Sequence, residues 1–250
     1  MITFNRLGKY GRLGNQLFQI SAVISYSIDN NKEYGFPEWE YNSYLKTPLP
    51  FFSIKPNNEF KERGAFTFTK IPPYNDLDLN GYFQNELYFK NNRDYILNRF
   101  TLKEEIQDKI KDESVKWGTT KTTAIHIRRG DYLNLSDHHP VLDYSYYKEA
   151  SDFVAEDTEL FIIFSDDIEW CKNNFSLDKK CYFQKSSNPL FDLFLMAECN
   201  NHIIANSSFS WWGSYLSKND GKCFAPIKWL GPAYKGVDFS GIYREKMIKL

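Results

Sequence analysis

The second half of the chain alternates between short apolar runs and segments with helical spacing. Each run carries β-branched or aromatic residues over too few positions for a helix, so it predicts a buried strand. These runs are Thr122–Ile127, Leu160–Phe164, Cys181–Phe183, His202–Ala205 and Lys222–Ala225. Because the helix between two strands returns the chain to the same edge of the sheet, such strands pair in parallel. The pattern therefore predicts a doubly wound parallel sheet in this half.

The amino terminus repeats the same order of strand, loop and helix. Ile2–Asn5 has the composition of a short strand, the following loop holds Gly8, Gly11 and Gly14, and helical spacing begins near Leu17. Glycines let the backbone approach a ligand closely, and the free N–H groups at a helix start attract an anion. One such unit in each half predicts an α/β protein with two Rossmann-like lobes facing a cleft.

The boundary between the two lobes is expected at 117–121. Glycine and small polar residues there interrupt the charged pattern of 93–116, which predicts one or two solvated helices. We therefore expect lobes near residues 1–120 and 121–250, each of about 125 residues, which is workable for a separate core. The proline-rich stretch 37–73 has no sustained period and predicts loops with short helices at most.

Two other readings of the first half are disfavoured. The spacing Gly8-x-x-Gly11-x-x-Gly14 differs from the Gly-x-Gly-x-x-Gly of dinucleotide-binding folds. Asp76-Leu77-Asp78 could be taken for a metal-binding pair of carboxylates, but it follows Pro72-Pro73-Tyr74-Asn75 and turn chemistry explains it better. We therefore assign neither a nicotinamide or flavin cofactor nor a metal to this half.

Composition excludes several classes of partner. A formal net charge of −1 supplies no field for binding nucleic acid, and no polybasic run is present for an anionic membrane. No apolar run approaches the ~20 residues needed to span a bilayer. The four cysteines form no Cys-x-x-Cys pair and no leader pattern opens the chain. We expect a cytoplasmic protein with reduced thiols, and peripheral contact with the inner face of the membrane stays open.

The strongest candidate for chemistry lies at the end of the strand Thr122–Ile127. Arg128 and Arg129 follow it directly, with Asp131 beyond a glycine, so two guanidinium groups stand at the carboxyl end of a strand. Ligands bind at that edge of an open α/β sheet, and the guanidinium fork matches a phosphate or carboxylate. Neighbouring residues on an extended backbone point to opposite faces, so we expect one arginine to bind the ligand. The other is expected to pair with Asp131 or to pack under the loop, and a structural ion-pair cluster is the alternative for both.

Two further groups of polar residues follow predicted strands. Asn206, Ser207, Ser208 and Ser210 lie between a strand and a helix, where hydroxyl and backbone N–H groups can bind an anion or simply cap the helix. Asp166 and Asp167 follow another strand, and they could accept hydrogen bonds from a purine or a ribose, or cap a helix.

The histidines give no metal site. His126 lies inside a strand, where a core role is more frequent than that of a base, and it is kept among the candidates for binding the donor. His138-His139 lacks the spacing and the acidic partner of a zinc site. Signatures of serine hydrolases and P-loop nucleotide hydrolases are absent from the sequence as well.

Four stretches, in order along the chain, resemble the α-1,2-fucosyltransferases. His126-Ile127-Arg128-Arg129-Gly130-Asp131-Tyr132 matches their His-x-Arg-Arg-Gly-Asp-Tyr signature. The other three are Gly11-Arg12-Leu13-Gly14-Asn15-Gln16-Leu17-Phe18-Gln19, in which Arg12 stands where many members have glycine, Gly81-Tyr82-Phe83-Gln84, and Ile204-Ala205-Asn206-Ser207-Ser208-Phe209-Ser210-Trp211-Trp212-Gly213. The stretch 37–73 matches nothing in the family, and the chain is short for the group.

The resemblance implies a two-lobed enzyme of the GT-B type that needs no metal or other cofactor. It would take fucose from GDP-β-L-fucose and place it, with inversion, on the 2-hydroxyl of a galactoside-containing glycan. The carboxyl-terminal lobe would bind the donor and the amino-terminal lobe the acceptor. The resemblance assigns Arg128 to the donor diphosphate, with the loop of Gly14 and Asn15 facing the same phosphates.

Breaking the bond between sugar and phosphate leaves extra negative charge on GDP. Arg128, Asn15 and the helix start at Ser207 and Ser208 would stabilise that charge as it develops. Asp131 is the nearest candidate in sequence for a general base toward the acceptor hydroxyl, although a cationic sugar lessens the need for one. An inverting fucosyltransferase of another linkage, such as α-1,6, and a non-catalytic nucleotide-sugar or glycan-binding module remain alternatives.

Overall fold

The computed structural model describes residues 1–52, 56–185 and 188–250. Contacts group the chain into two compact units: Met1–Asp108 with Asp238–Arg244, and Lys109–Val237 with Glu245–Leu250. The sequence indicated a division near residue 120, whereas the contacts divide the chain inside a helix, Glu104–Val115. A continuous helix can pass from one packing environment to another without a loop, so composition does not mark this point.

The late segment Asp238–Arg244 belongs to the first unit through close packing at Gly241. A Cβ added to this glycine would lie 2.0 Å from the carbonyl oxygen of Phe66 and 2.2 Å from Nδ2 of Asn85. Any larger residue would clash there, so glycine permits the contact. No pattern in the sequence indicates this return of the chain.

The first unit contains a four-stranded parallel sheet. Its strands are β1 (Ile2–Thr3), β2 (Tyr34–Gly35), β3 (Glu59–Lys61) and β4 (Leu77–Asn80), in the spatial order β2-β1-β4-β3. Helix α1 (Leu13–Asp29) joins β1 to β2 and is buried over most of its length, and α2 (Arg93–Arg99) and α3 (Glu104–Val115) follow the sheet. Because β1 and β4 are parallel neighbours, the loops that follow them lie at the same edge of the sheet.

The interpretation of Asp76-Leu77-Asp78 as a turn was wrong, since Leu77 and Asp78 begin β4. Asp78 is fully buried, and its Oδ1 accepts hydrogen bonds from the Thr3 hydroxyl at 2.8 Å and from the Asn5 backbone N–H at 2.8 Å. Its Oδ2 lies 3.4 Å from Nη1 of Arg6. A buried carboxylate needs such partners, and here they join two strands. Proline and asparagine upstream gave a turn signal that the strand pairing overrides.

The second unit contains a six-stranded sheet whose pairs are all parallel. Its strands are β5 (Thr122–Ile127), β6 (Leu160–Ser165), β7 (Cys181–Phe183), β8 (Asn201–Ile203), β9 (Cys223–Ala225) and β10 (Met247–Lys249). The helices are α4 (Tyr144–Phe153), α5 (Ile168–Asn174), α6 (Pro189–Glu198) and α7 (Ser208–Leu216). The spatial order is β10-β9-β8-β5-β6-β7.

This order places a topological switch point beside β5. From β5 the chain builds β6 and β7 on one side, and it then crosses to build β8, β9 and β10 on the other. The loops after β5 and β8 therefore leave in opposite directions and open a crevice, which is where ligands bind in such sheets. The side chains that follow β5 and β8 are the ones that the sequence singled out.

The predicted fold class is confirmed: each unit is α/β with a parallel sheet, and the second sheet is doubly wound. Each of the five predicted strands of the second unit overlaps an observed one, while β10 had no sequence signal. The core of the second unit contains Ile125, Ile163, Ile203 and Phe224, one from each of four adjacent strands. Within the described parts of the chain, no helix combines the length and the apolar character that crossing a membrane requires.

Candidate active site

Polar residues from three strand ends meet at the carboxyl edge of the second sheet. Arg128 and Arg129 follow β5, Asp166 and Asp167 follow β6, and the segment 206–208 follows β8. All three strands are parallel neighbours, so the groups that sequence reasoning singled out separately are brought to one edge. Ion pairs between the loops of β5 and β6 connect two of the groups directly.

Arg128 is held between two carboxylates. Its Nη1 donates to Oδ2 of Asp166 and its Nη2 donates to Oδ1 of Asp131. The guanidinium carbon also lies 5.1 Å from the centroid of the Tyr132 ring. The side chain is 13% exposed, so the charge is fixed in position yet reachable from solvent. These two ion pairs are also what the alternative of a structural cluster expects, so binding of an anion by Arg128 stays a prediction; a guanidinium fixed in this way would be pre-organised for it.

Gly130 makes the approach of Asp166 to Arg128 possible. A Cβ on Gly130 would lie 2.2 Å from Oδ2 of Asp166 and 3.9 Å from Nη1 of Arg128. Any side chain at position 130 would therefore push the Asp166 carboxylate away from the guanidinium. The absence of a side chain at Gly130 thus leaves room for the ion pair between Asp166 and Arg128.

Arg129 lies in a different environment from Arg128. Its guanidinium carbon lies 3.5 Å from the centroid of the Trp170 ring, and its Nε donates to Oδ2 of Asp167 at 3.2 Å. The backbone N–H of Arg129 donates to Oδ1 of Asp166 at 2.9 Å. Asp167 also caps α5 by accepting from the Trp170 N–H at 3.3 Å. Arg129 therefore packs against α5, and that Arg128 is the arginine that binds a ligand stays a prediction.

Both aspartates after β6 therefore have protein partners. Asp166 bridges Arg128 and the backbone of Arg129, and Asp167 combines an ion pair with a helix cap. The pairing of Asp131 was expected for whichever arginine does not face the ligand, but its partner is Arg128. A role for Asp166 or Asp167 toward a purine or ribose stays a prediction.

Asn206 ties together the loops around the switch point. Its Nδ2 donates to the carbonyl oxygens of Pro140 at 3.0 Å and Trp229 at 3.2 Å. The backbone carbonyl oxygen of Asn206 accepts a hydrogen bond from the Tyr132 hydroxyl at 3.0 Å. Sequence reasoning missed Pro140 and Trp229 because nothing in their spacing indicates a contact. Tyr132 was within the quoted signature, and the hydrogen bond gives it a structural role.

The serines after Asn206 form the start of α7. Ser207 is the N-cap and accepts from the Phe209 N–H at 3.3 Å, while Ser208 is the first helical residue and is half-buried. The buried Ser210 hydroxyl lies 3.4 Å from the carbonyl oxygens of Ala205 and Ser207. Ser210 thus stabilises the turn itself, whereas the helix start at Ser207 and Ser208 retains the geometry of an anion site.

His126 is buried inside β5 beneath this edge. Its ring centroid lies 5.3 Å from that of Phe209, and Nδ1 has no hydrogen-bond partner among the residues that the structure describes. Burial, reinforced by the positive charge of Arg128, lowers the pKa of His126 to about 3. The imidazole is therefore neutral near pH 7, and it can serve a ligand as a hydrogen-bonding group but not as a cation.

In the first unit, Asn15 lies in the first turn of α1, one residue after the buried Gly14. Nε2 of Gln84, in the loop after β4, donates to Oδ1 of Asn15 at 2.5 Å. Gly11 has a φ of +73°, and a Cβ there would lie 2.0 Å from Nδ2 of Asn15. The glycine-rich loop thus packs closely against the Asn15 side chain at Gly11. Gln84, in the loop after β4, fixes the orientation of the Asn15 amide.

Glu62 is a site-forming residue that sequence reasoning missed. Its Oε2 accepts hydrogen bonds from the backbone N–H groups of Tyr82 at 2.7 Å and Phe83 at 2.9 Å. Phe83 adopts a φ of +54°, which is unusual for a bulky residue, and the two bonds help to hold it there. A carboxylate in a region without periodicity gives no signal of such a contact. Glu62 thereby fixes the loop that carries Gln84.

Comparison with known proteins decides the family of the chain. The model of glycosyltransferase family 11 matches residues 2–244. The chain belongs to glycosyltransferase family 11. The resemblance drawn from the four sequence stretches is therefore confirmed, and those stretches all lie within the matched range.

Curated relatives of this family 11 chain include two from Escherichia coli. The O-antigen biosynthesis glycosyltransferase WbnK is 35% identical over 173 residues, which cover 64% of this chain and 57% of the relative. An alpha-1,2-colitosyltransferase is 29% identical over 88% of this chain and 90% of its own length. The galactoside 2-alpha-L-fucosyltransferase SEC1 of Bos taurus is 30% identical over 83% of this chain and 62% of that protein. The matched region thus spans about three-fifths of two of these relatives.

Solved structures share the fold of this family 11 chain. The fucosyltransferase NodZ from Bradyrhizobium superposes with a TM-score of 0.58 at 13% identity, over 86% of this chain and 93% of NodZ. POFUT1 in complex with GDP-fucose superposes with a TM-score of 0.54 at 11% identity, over 89% of this chain and 95% of POFUT1. At such identities the likeness concerns the fold alone.

The acidic and histidine side chains of this family 11 member do not gather into a metal site in the described ranges. No group of three or more His, Cys, Asp or Glu residues is placed to hold an ion there. The carboxylates nearest the switch point bind arginine instead. Independence from metal stays a prediction that needs its own test.

Glu62 predicts a pH dependence of stability. Burial, only partly offset by the hydrogen bonds from Phe83 and Tyr82, raises the pKa of Glu62 from 4.5 to about 7. Between pH 4.5 and about 7 the folded chain therefore keeps a proton on Glu62 that the unfolded chain has released. The free energy of unfolding consequently falls as pH rises through this range. Glu62→Gln should be about 1–3 kcal/mol more stable than the parent at pH 8, with a smaller difference at pH 4.5. Urea unfolding at both pH values measures it, and a difference independent of pH would contradict the prediction.

Proposed function

We propose that this protein transfers L-fucose from GDP-β-L-fucose to the 2-hydroxyl of a terminal galactoside, with inversion and without a metal. The observation that carries the proposal is the guanidinium of Arg128, fixed at the switch point of the second sheet, at the same sheet edge as the start of α7. Membership of family 11 and the likeness to fucosyl- and colitosyltransferases support the reaction class.

In this mechanism the second unit binds the donor and the first unit binds the acceptor. Two of the five N–H donors of the Arg128 guanidinium bind carboxylates in the described contacts, and the others can reach diphosphate oxygens. Asp131 and Asp166 fix the position of the guanidinium before the donor arrives. The N–H groups at the start of α7, near Ser207 and Ser208, would bind the same diphosphate.

Catalysis then depends on charge that grows on GDP as the glycosidic bond breaks. Arg128 and the start of α7 stabilise that charge more strongly in the transition state than in the ground state, and Asn15 is proposed to contact the same phosphates. The acceptor hydroxyl attacks from the face opposite GDP, which inverts the anomeric centre. Asp131 remains the candidate base, although its Oδ1 already accepts from Arg128, so it also positions the guanidinium.

A second candidate differs only in the donor sugar. The match with the alpha-1,2-colitosyltransferase covers 88% of this chain, a larger share than the 64% covered by WbnK or the 83% covered by SEC1. A nucleotide-activated form of colitose is therefore an alternative donor for the same site. A cytoplasmic location, with or without contact to the inner face of the membrane, stays a prediction of the sequence.

The test is turnover by the purified protein in the presence of EDTA. With GDP-fucose and lactose we expect release of GDP and a product that carries α-fucose on the galactose 2-hydroxyl, identified by NMR. Activated colitose in a parallel assay distinguishes the two donors. Dependence on added divalent metal would reject the metal-free mechanism, an α-1,6 product would reject the linkage, and binding without turnover would indicate a non-catalytic module.

A further inference from the structure

Two tyrosine rings form an aromatic surface at the carboxyl edge of the first sheet. Tyr10 lies in the glycine-rich loop after β1, and Tyr82 lies in the loop after β4. Their ring centroids are 6.2 Å apart, with an angle of 30° between the ring planes. Tyr82 is 40% exposed and Tyr10 is half-buried, so the pair faces solvent. The mechanism above assigns no role to either ring.

Buried polar groups hold the two loops together beneath the rings. Gln19 of α1 is fully buried, and its Nε2 lies 3.2 Å from the carbonyl oxygen of Tyr10 and 3.4 Å from that of Gly81. Glu62 adds its hydrogen bond to the Tyr82 N–H at 2.7 Å. The Gln19 amide thus joins the backbone of Tyr10, in one loop, to the backbone of Gly81, in the other. The backbones of the two loops are therefore fixed relative to each other, which keeps the two rings close together.

The pair of Asn15 and Gln84 follows directly on these loops: Asn15 lies in the first turn of α1, and Gln84 lies in the loop after β4. Gln84 lies two residues after Tyr82, and its amide donates to Asn15 at 2.5 Å. Placing Gln84 requires only the backbone of this loop, so it does not explain an exposed aromatic side chain at position 82. An exposed aromatic surface matches the C–H face of a pyranose, whose hydroxyl edges stay in water.

We propose that Tyr10 and Tyr82 form the platform on which the acceptor hexopyranoside lies, with its C–H face on the rings. This inference rests on the proposed function, because it names the acceptor subsite of that reaction. The occupant is a neutral β-galactoside residue at the end of a glycan. Asn15 and Gln84 lie in the same unit, but the Asn15 amide is proposed for the donor diphosphate and is not part of the platform.

The test measures acceptor and donor separately. Tyr82→Ala should raise the KM for lactose roughly tenfold, since covering about 50 Å² of apolar sugar surface on the ring is worth about that factor. The KM for GDP-fucose and the Kd for GDP should stay within about twofold, because neither ring is assigned to the nucleotide. Tyr82→Phe keeps the ring and should keep the parent KM for lactose.

Tyr74→Ala is the matched control, since Tyr74 has a similar exposure of 41% outside the platform. Saturation-transfer NMR with lactose and GDP supplies a readout that needs no turnover, and Tyr82→Ala should lose the lactose signal while Tyr74→Ala keeps it. A thermal midpoint and a circular dichroism spectrum like those of the parent show that each variant is folded. If Tyr82→Ala fails to fold, Tyr10→Ala replaces it with the same expected loss.

The outcomes separate this inference from the proposed function. Transfer to lactose with an unchanged acceptor KM in Tyr82→Ala would overturn the platform and leave the function standing. A lactose signal that depends on Tyr82 without any transfer of fucose would keep the platform and overturn the function. Absence of a lactose signal from the parent protein would overturn the platform as a β-galactoside subsite.

Discussion

Replacing Arg128 by alanine is expected to lower kcat for fucose transfer by at least about 10²–10³-fold, the loss typical of removing one preorganised charge stabiliser. The guanidinium is held by Asp131 and Asp166 at the switch point, where the departing GDP would gain negative charge. The affinity for GDP should fall as well, because free GDP carries the full negative charge that bond breakage leaves on the diphosphate. Steady-state kinetics and calorimetric titration with GDP measure the two effects.

Arg129→Ala is the matched control, because it removes the same charge one residue away. Arg129 packs on Trp170 and pairs with Asp167, so its loss should lower the thermal midpoint while kcat falls less than about tenfold. Arg128→Lys keeps the charge but loses the planar fork, and it should recover only part of the activity. A large loss of kcat in Arg129→Ala with a small loss in Arg128→Ala would show that the two assignments must be exchanged.

Replacing Asn15 by alanine is expected to lower kcat about 100-fold with little change in stability. The asparagine side chain is held in place by Gln84 and enclosed by the loop at Gly11, which suits a fixed donor better than a mobile surface group. The proposed partner is the diphosphate of the donor, so the KM for lactose should change little. Initial rates at saturating lactose and varied GDP-fucose test this prediction.

Asn15→Asp distinguishes a catalytic role from a structural one. Aspartate has nearly the same shape and can still accept the hydrogen bond from Gln84, so a purely structural role would leave kcat almost unchanged. A carboxylate beside a developing negative charge would instead lower kcat at least as much as alanine does. Gln84→Ala should have a smaller effect, because it removes the support of Asn15 and leaves the amide in place.

The sequence predicted the parallel sheets because hydrophobic periodicity acts over a few neighbouring residues. Strands of six residues such as β5 and β6 are visible in the sequence as runs of β-branched and apolar residues. The strands β2 and β3 are only two and three residues long and show no such signal. Their pairing with neighbours, rather than their own residues, makes them strands.

The residues of the candidate site could be found by reasoning from strand ends. Carboxyl ends of parallel strands meet at one edge, so Arg128, Asp166 and Asn206 could be expected to be neighbours without coordinates. Their partners could not be deduced in the same way. Which carboxylate binds which arginine depends on the conformation of loops whose contacts join residues 38 positions apart, as between Arg128 and Asp166.

The sequence by itself determined the α/β class, the two repeats of strand, glycine loop and helix, and the family signature around Arg128. These depend on local spacing, which a linear chain records directly. Only the tertiary structure decided that Asp131 pairs with Arg128, that Glu62 holds the loop of Tyr82, and that Gln19 joins this loop to that of Tyr10. Such pairings arise when loops far apart in sequence meet at a sheet edge, where hydrogen-bond geometry selects the partner.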